Sequence, residues 1–155
     1  MAAALRLASG NILVDLACGR GGYGRGVARR TGARMVALDC SAVAIAARGG
    51  QGDHASFCVA DFTALGLRDH SAHAVMCIDA IQFSDPPLAA LRECRPILAD
   101  GGRLAVTAWE PVGPADERLP ERTRRMNLAR DLPDAGLEQI EVTGKPDWYA
   151  AERRL

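Results

Sequence analysis

Aspartates follow four short apolar stretches of this sequence, and a run of glycines follows the first of them. Asp15 lies in "NILVDLA", and the next residues, "CGRGGYGRG", hold five glycines between Gly19 and Gly26. The other three aspartates are Asp39 in "ALDCS", Asp61 in "VADF" and Asp79 in "CIDAI". Glycines let a ligand approach the backbone closely, and carboxylates accept hydrogen bonds from hydroxyl and amino groups. The pattern therefore predicts a site for a ligand rich in those donors.

The elements that must position these residues alternate along the chain. Strands are predicted at 11–17, 33–39, 55–61, 72–81, 102–109 and, from "LEQIEVTG", 137–144. Helices are predicted at about 22–31, at 41–48 with Ser41 as cap, at 85–100 and within 122–136. This alternation is typical of a mostly parallel sheet with helices on both faces, a doubly wound α/β fold. Ligands of such folds bind beyond the carboxyl ends of the strands, where the strand order reverses. We expect the four aspartates to meet at that edge.

Composition places the chain among globular proteins and excludes several partners. The 155 residues are enough for one domain, predicted to span 1–155. The net charge is zero, which argues against nucleic acid as the main partner. The five cysteines form no CxxC pair and no cluster with zinc spacing, so no metal site is predicted. Free cysteines, together with the absence of a signal peptide or a long apolar run, favour a cytoplasmic protein that does not enter membranes.

Two cofactors could explain the glycine run, a dinucleotide or S-adenosylmethionine. "GRGGYG" at 19–24 matches G-x-G-x-x-G, and Asp39 lies at a suitable distance downstream to bind a ribose. Against the dinucleotide, Asp15 precedes the first glycine by four residues and would repel a pyrophosphate at the helix N-terminus. "ADF" at 60–62 offers a carboxylate and a ring for an adenine, and no segment resembling a nicotinamide site follows. A dinucleotide-dependent oxidoreductase stays the less favoured alternative.

The motifs in their order resemble those of a known family. "VDLACGRGGYG" resembles motif I of class I S-adenosylmethionine-dependent methyltransferases, D/E-x-G/A-x-G-x-G, with Ala17 in the first small position. "ALDCS" and "VADF" resemble the ribose and adenine segments of that family. "CIDAIQFSDP" and "LRECRPILADGGRLAVTAWE" resemble its fourth strand, the following helix and its fifth strand. The resemblance spans about residues 10–110 and implies a Rossmann-like methyltransferase fold with S-adenosylmethionine as cofactor.

The resemblance implies a set of cofactor-binding residues. They are Asp15, Ala17, Gly19, Gly21, Asp39, Cys40, Asp61, Phe62 and Asp79. For the methionine part of the cofactor, Gly19 and Gly21 are expected to let the loop backbone approach. Asp15 is expected to help orient the amino group, and the region from Asp79 to Gln82 is expected to face the methyl group.

The adenosine part is implied to bind further along the same edge. Asp39, in the segment that continues into Cys40, is expected to accept hydrogen bonds from both ribose hydroxyls, a geometry that suits a carboxylate. Asp61 is expected to take the adenine amino group, and the Phe62 backbone a ring nitrogen.

The implied activity is methyl transfer to a small-molecule O, N or C acceptor. Such a transfer needs a positioned cofactor and a dry site more than a catalytic residue, and no catalytic residue is assigned. The side chains expected near the acceptor are Tyr23, Gln82, Trp109 and Glu110, whereas the three histidines fall on the opposite edge or in loops. A second interpretation is a methyltransferase-like module that binds the cofactor without catalysis.

Two departures from the family pattern carry expectations of their own. Members usually begin with helices before the first strand, and here about ten residues precede it. The family fold usually ends with a sixth and a seventh strand, but no seventh is visible after "LEQIEVTG". We therefore expect the sheet to lack its last strand. An unpaired strand edge at "QIEVT" would favour self-association.

Overall fold

Five parallel strands form a single sheet in the computed structural model, which describes residues 2–48, 55–111 and 117–144. The strands are β1 (Ile12–Leu16), β2 (Arg34–Asp39), β3 (Ala55–Val59), β4 (Ala72–Ile78) and β5 (Leu98–Thr107). Their order is β3-β2-β1-β4-β5, so the order reverses between β1 and β4. The predicted doubly wound α/β fold is confirmed, and its switch point lies at the ends of β1 and β4.

Six helices and one 3₁₀ turn accompany the strands of the described ranges. They are α1 (Ala2–Leu5), α2 (Gly22–Thr31), α3 (Ala42–Ala46), the turn Ile81–Phe83, α4 (Pro87–Ile97), α5 (Glu121–Arg124) and α6 (Leu128–Asp134). The Ser41 hydroxyl accepts a hydrogen bond of 3.1 Å from the Ala44 N–H, which confirms the predicted cap of α3. None of these helices has both the length and the apolar character needed to span a bilayer.

Apolar side chains are buried on both faces of the sheet, because alternate residues of a strand point to opposite faces. Val14 and Leu16 of β1 belong to a large cluster with α4, which contributes Leu91. Leu13 belongs to a second cluster with Val27 of α2. This arrangement explains why the β1 sequence is apolar almost throughout, and at this central strand it leaves the carboxyl end as the place where a ligand can bind.

The predicted sixth strand at 137–144 is wrong. The structure describes these residues and assigns no strand to them, and Gln139 has a left-handed φ of 52° that interrupts an extended chain. Ile140 and Val142 are 39% and 47% exposed, so the apolar residues that suggested a strand are not packed on the sheet. The expectation of an unpaired strand edge at "QIEVT" loses its basis with this strand.

Other boundaries differ for local reasons. The fourth strand, predicted to reach residue 81, ends at Ile78 because Asp79 turns into a left-handed conformation with φ of 51°. The helix predicted within 122–136 is divided into α5 and α6, and the Asn127 side chain caps α6 by accepting a hydrogen bond from the Arg130 N–H. The fifth strand begins earlier than predicted, at Leu98, which pairs with Ala72 before a register shift.

Candidate functional site

Asp39, the last residue of β2, joins the glycine loop to the start of α3. The Gly19 N–H donates to Asp39 Oδ2 at 2.8 Å, and the Ser41 N–H donates to Oδ1 at 2.8 Å. Each carboxylate oxygen can accept a second hydrogen bond. The half-buried carboxylate is thus held in place by two backbone groups while it keeps acceptor capacity for a ligand.

The glycine loop between β1 and α2 contains three residues in the left-handed region. The φ angles are 52° at Ala17, 54° at Gly19 and 80° at Gly21. A Cβ on Gly19 would meet no atom within 4 Å, whereas a Cβ on Gly21 would lie 2.7 Å from the Phe57 ring. The family resemblance implies the same role for both glycines. Of the two, Gly19 faces open space, whereas Gly21 packs against Phe57 and has no room for a side chain.

Asp15 lies beneath the first turn of α2 and is only 3% exposed. A Cβ on Gly24 would lie 2.3 Å from Asp15 Oδ2, so the helix backbone passes directly over the carboxyl group. Burial raises the pKa of Asp15 to about 7; the Gly24 backbone hydrogen bond opposes this rise, and the nearby Asp39 charge adds to it. Asp15 therefore supports the loop and helix from below.

A shallow cleft opens between the ends of β1, β2 and β3. Five predicted cofactor residues line it, namely Ala17, Asp39, Cys40, Asp61 and Phe62, together with Leu16, Leu38, Ala60 and Leu65. Carboxylates at the rim and apolar side chains at the floor suit a flat, polar-edged ring joined to a hydroxylated sugar.

Asp61 is exposed at one end of this cleft. Its Oδ1 accepts hydrogen bonds from the Thr63 hydroxyl at 2.7 Å and from the Thr63 N–H at 2.8 Å. These two hydrogen bonds hold the pKa of Asp61 below its ordinary value, so the side chain is ionised at neutral pH. The charged carboxylate can accept hydrogen bonds from a ligand amino group.

Asp79 lies across the switch point from the cleft, at the end of β4. The Thr107 hydroxyl donates to Asp79 Oδ1 at 2.6 Å, and Gln82 Nε2 donates to the Asp79 carbonyl at 2.7 Å. These contacts hold a backbone whose φ is unfavourable for a residue other than glycine. Thr107 is a residue of this site that the sequence pattern does not reveal, since its only signal is a hydroxyl near the end of the fifth predicted strand.

The remaining residues singled out from the sequence have diverse surroundings. The Glu110 carboxylate accepts a hydrogen bond from the Leu128 N–H at the start of α6, so it has a structural partner. Tyr23 is 76% exposed near the loop.

The histidines lie away from this edge or outside the described residues. His73 Nδ1 accepts a hydrogen bond from the Ile12 N–H at the amino edge of the sheet, as predicted. His54 lies outside the described residues. No cluster of three or more metal-ligating side chains occurs in the described ranges.

The doubly wound fold and the acidic cleft at its carboxyl edge define a class of ligand-binding α/β domains, and comparison with known sequences identifies the family within that class. A sequence model of the methyltransferase domain family matches residues 14–106, which run from β1 almost to the end of β5. The chain belongs to this family. The match contains the glycine loop and the ends of the first four strands, which are the parts that form the site.

Among individual proteins, the chain is similar to sterol 24-C-methyltransferases. It is 31% identical to the enzyme from Eremothecium gossypii over 124 residues, which are 76% of this chain and 33% of that protein. The enzyme of the same name from Yarrowia lipolytica is also 31% identical, over 116 residues. The chain spans about a third of the length of the curated relatives it matches.

Solved structures share the architecture. The cyclase SpnF superposes with a TM-score of 0.77 at 25% identity, over 87% of this chain and 53% of that one. Phosphoethanolamine N-methyltransferase 2 of Haemonchus contortus, solved with S-adenosyl-L-methionine, gives a TM-score of 0.82 at 20% identity, over 96% of this chain and 38% of that one. At that identity the second likeness shows the fold alone, and the predicted Rossmann-like methyltransferase fold is confirmed.

Proposed function

We propose that the chain binds S-adenosylmethionine along the carboxyl edge of its sheet and transfers the methyl group to a small-molecule acceptor. One observation carries the proposal. The Asp39 carboxylate is fixed by backbone groups of two elements, and it lines a cleft with Asp61 and Phe62 beside the open Gly19 backbone. Membership of the methyltransferase domain family supports the reaction.

The residues present fit the adenosine part of the cofactor. Asp39 would hold the two ribose hydroxyls with the acceptor capacity that its own backbone partners leave free. Asp61 would accept from the adenine amino group, while Phe62 and Leu65 supply apolar surface for the ring. Cys40 lines the same cleft beside Asp39 and would contact the sugar.

The methionine part would extend over the loop toward β4. Gly19 presents backbone without a side chain toward open space there, and Asp79 stands at the far side of the switch point. The cofactor supplies an activated methyl group when bound. The chain's own contribution is to hold that group at a fixed place and to exclude water from it.

A module that binds the cofactor without methyl transfer is a second candidate. The observation that favours it is the likeness to SpnF, whose name describes a cyclase on the same fold. A dinucleotide oxidoreductase is less well supported, because the family match is to methyltransferases.

Calorimetric titration of the chain with S-adenosylhomocysteine and with NAD tests the cofactor. We expect binding of the first and no binding of the second. S-adenosylmethionine with a labelled methyl group, incubated with panels of hydroxyl, amine and carbon acceptors, tests the reaction by mass spectrometry. Labelled product supports methyl transfer; binding with no product from any panel favours the non-catalytic module.

A further inference from the structure

The Asp15 carboxyl group is buried at the end of the central strand without a positively charged partner. It is 3% exposed, and the Gly24 backbone of α2 donates a hydrogen bond to it. None of the described arginine, lysine or histidine side chains forms an ion pair with it. The Arg25 guanidinium of α2 lies over the Phe57 ring instead, 4.9 Å from the ring centroid. The contacts that hold this carboxyl group are therefore neutral.

The other titratable groups near Asp15 supply no positive charge either. Burial raises the pKa values of Cys18 on the loop and Cys77 on β4 to about 12, and the Asp15 charge adds to both rises, so these thiols stay neutral. Asp39 supplies negative charge from the end of β2, and Asp79 on β4 accepts a hydrogen bond from β5. Burial and, to a lesser extent, the Asp39 charge raise the pKa of Asp15 to about 7. The carboxyl group is thus about half protonated at neutral pH.

The strand order places this carboxyl group beneath the middle of the proposed ligand. β1 lies between β2 and β4. A cofactor that has its adenosine part in the cleft at β2 and β3, and that extends over the glycine loop toward β4, must cross the end of β1, where Asp15 lies. The sulfur atom joins the two parts of the cofactor. It is a sulfonium cation in S-adenosylmethionine and a neutral thioether in the product, S-adenosylhomocysteine.

We propose that Asp15 discriminates by charge between the cofactor and its product, because it ionises when S-adenosylmethionine binds and stays more protonated when S-adenosylhomocysteine binds. This inference rests on the proposed function. S-adenosylmethionine carries one positive charge more than its product, and a cation above the end of β1 offsets the negative charge that burial makes unfavourable. Binding of the cofactor then releases a proton to the solvent, and the preference for the cofactor over the product rises with pH.

Isothermal calorimetry in two buffers with different ionisation enthalpies counts the protons released for each ligand bound. At pH 7, S-adenosylmethionine should release about 0.3–0.5 proton more from the unmutated chain than from Asp15→Asn, since about half of the unmutated chain starts protonated. For S-adenosylhomocysteine the same difference should be less than half as large. The subtraction removes protons exchanged by the ligand and by the histidines, which are the same for both chains. Asp69→Asn, a change at an exposed loop carboxylate, should release as many protons as the unmutated chain.

The Kd of S-adenosylhomocysteine divided by that of S-adenosylmethionine gives a second readout. From pH 6 to pH 8 this ratio should rise about three- to eightfold more for the unmutated chain than for Asp15→Asn. An equal rise in both chains, or equal proton release by the two ligands, would overturn the inference. If Asp15→Asn does not fold, the comparison of the two ligands on the unmutated chain decides. Absence of binding by both ligands would refute the proposed function instead.

Discussion

At the scale of single residues, the two aspartates of the first two strands have opposite surroundings. Asp39 is half-buried, and two backbone N–H groups donate to its carboxylate. Asp15 is 3% exposed, and burial raises its pKa to about 7. Four aspartates at strand ends look equivalent in a sequence, but the fold makes one a fixed acceptor at a cleft and another a buried group whose ionisation opposes folding.

Asp15 should make the stability of the chain depend on pH. The native carboxyl stays protonated up to about pH 7, whereas the unfolded one ionises near 3.8. The folded state therefore binds more protons in this window, and stability falls as pH rises through it. An asparagine at this position does not ionise, so the Asp15→Asn variant should not lose stability in this way. In urea unfolding, the free energy of unfolding of the variant minus that of the unmutated chain should grow by about 2–3 kcal/mol from pH 5 to pH 8. The growth is about 1.4 kcal/mol per pH unit up to pH 7. A constant difference at both pH values would contradict the assignment.

At the scale of elements, close packing of α2 on the end of β1 shapes the loop. A Cβ on Gly24 would lie 2.3 Å from Asp15 Oδ2 and 2.6 Å from Met35 Sδ. A Cβ on Gly26, about half a turn further along α2, would lie 3.7 Å from the end of the Arg30 side chain, which is an ordinary contact distance. Two glycines of one helix thus differ in purpose, since only the first permits the approach of helix to sheet.

Gly24→Ala and Gly26→Ala form a matched pair. Gly24→Ala should lower the free energy of unfolding by about 1–3 kcal/mol, because the helix must move away from β1 and Met35. Gly26→Ala should raise it by about 0.5–1 kcal/mol, since alanine is the better helix former. Denaturant unfolding measures both; a Gly24→Ala chain as stable as the Gly26→Ala chain would show that α2 is not closely packed there.

Gly19→Val and Gly21→Val separate the ligand side of the loop from its packed side. Gly19→Val should lower the free energy of unfolding by about 1–2 kcal/mol, because valine is strained at the left-handed φ of this position, and the chain should still fold. Its affinity for S-adenosylhomocysteine should fall at least about tenfold. Valine at Gly21 should destabilise the fold more, since its Cβ also meets Phe57. Full-strength binding by the Gly19→Val chain in calorimetry would place the ligand elsewhere.

At the scale of the whole molecule, the sheet and its edge could be predicted because buried parallel strands have continuous apolar sequences. The ends predicted for β1 to β4 agree with the structure to within a few residues, and the cleft brings together five of the predicted cofactor residues. The burial of Asp15 beneath Gly24 and the contact of Thr107 with Asp79 depend on distances between elements, which no local pattern encodes. The false strand at 137–144 arose because apolar alternation shows nothing about an available sheet edge. Self-association stays a prediction, without the strand edge that suggested it.

Ligand binding should stabilise the whole chain. At a free concentration one hundred times its Kd, S-adenosylhomocysteine should add about 2.7 kcal/mol to the free energy of unfolding. For a chain of this length that corresponds to a rise in Tm of roughly 5–11 °C. Scanning calorimetry should record the rise with S-adenosylhomocysteine and none with NAD at the same concentration; a rise with NAD alone would favour the dinucleotide interpretation.

The central claim is that the Asp39 carboxylate binds the ribose of S-adenosylmethionine, and a double comparison by isothermal calorimetry tests it most directly. Asp39→Ala should weaken S-adenosylhomocysteine binding by roughly ten- to a thousandfold, because charge-assisted hydrogen bonds to both hydroxyls are lost. An analogue without the two ribose hydroxyls should bind the unmutated chain weakly, and Asp39→Ala should change its affinity by less than about threefold. This control separates the ribose contact from the support that Asp39 gives to Gly19 and Ser41. An Asp39→Ala chain that binds S-adenosylhomocysteine at full strength, or that loses both ligands equally, would contradict the account.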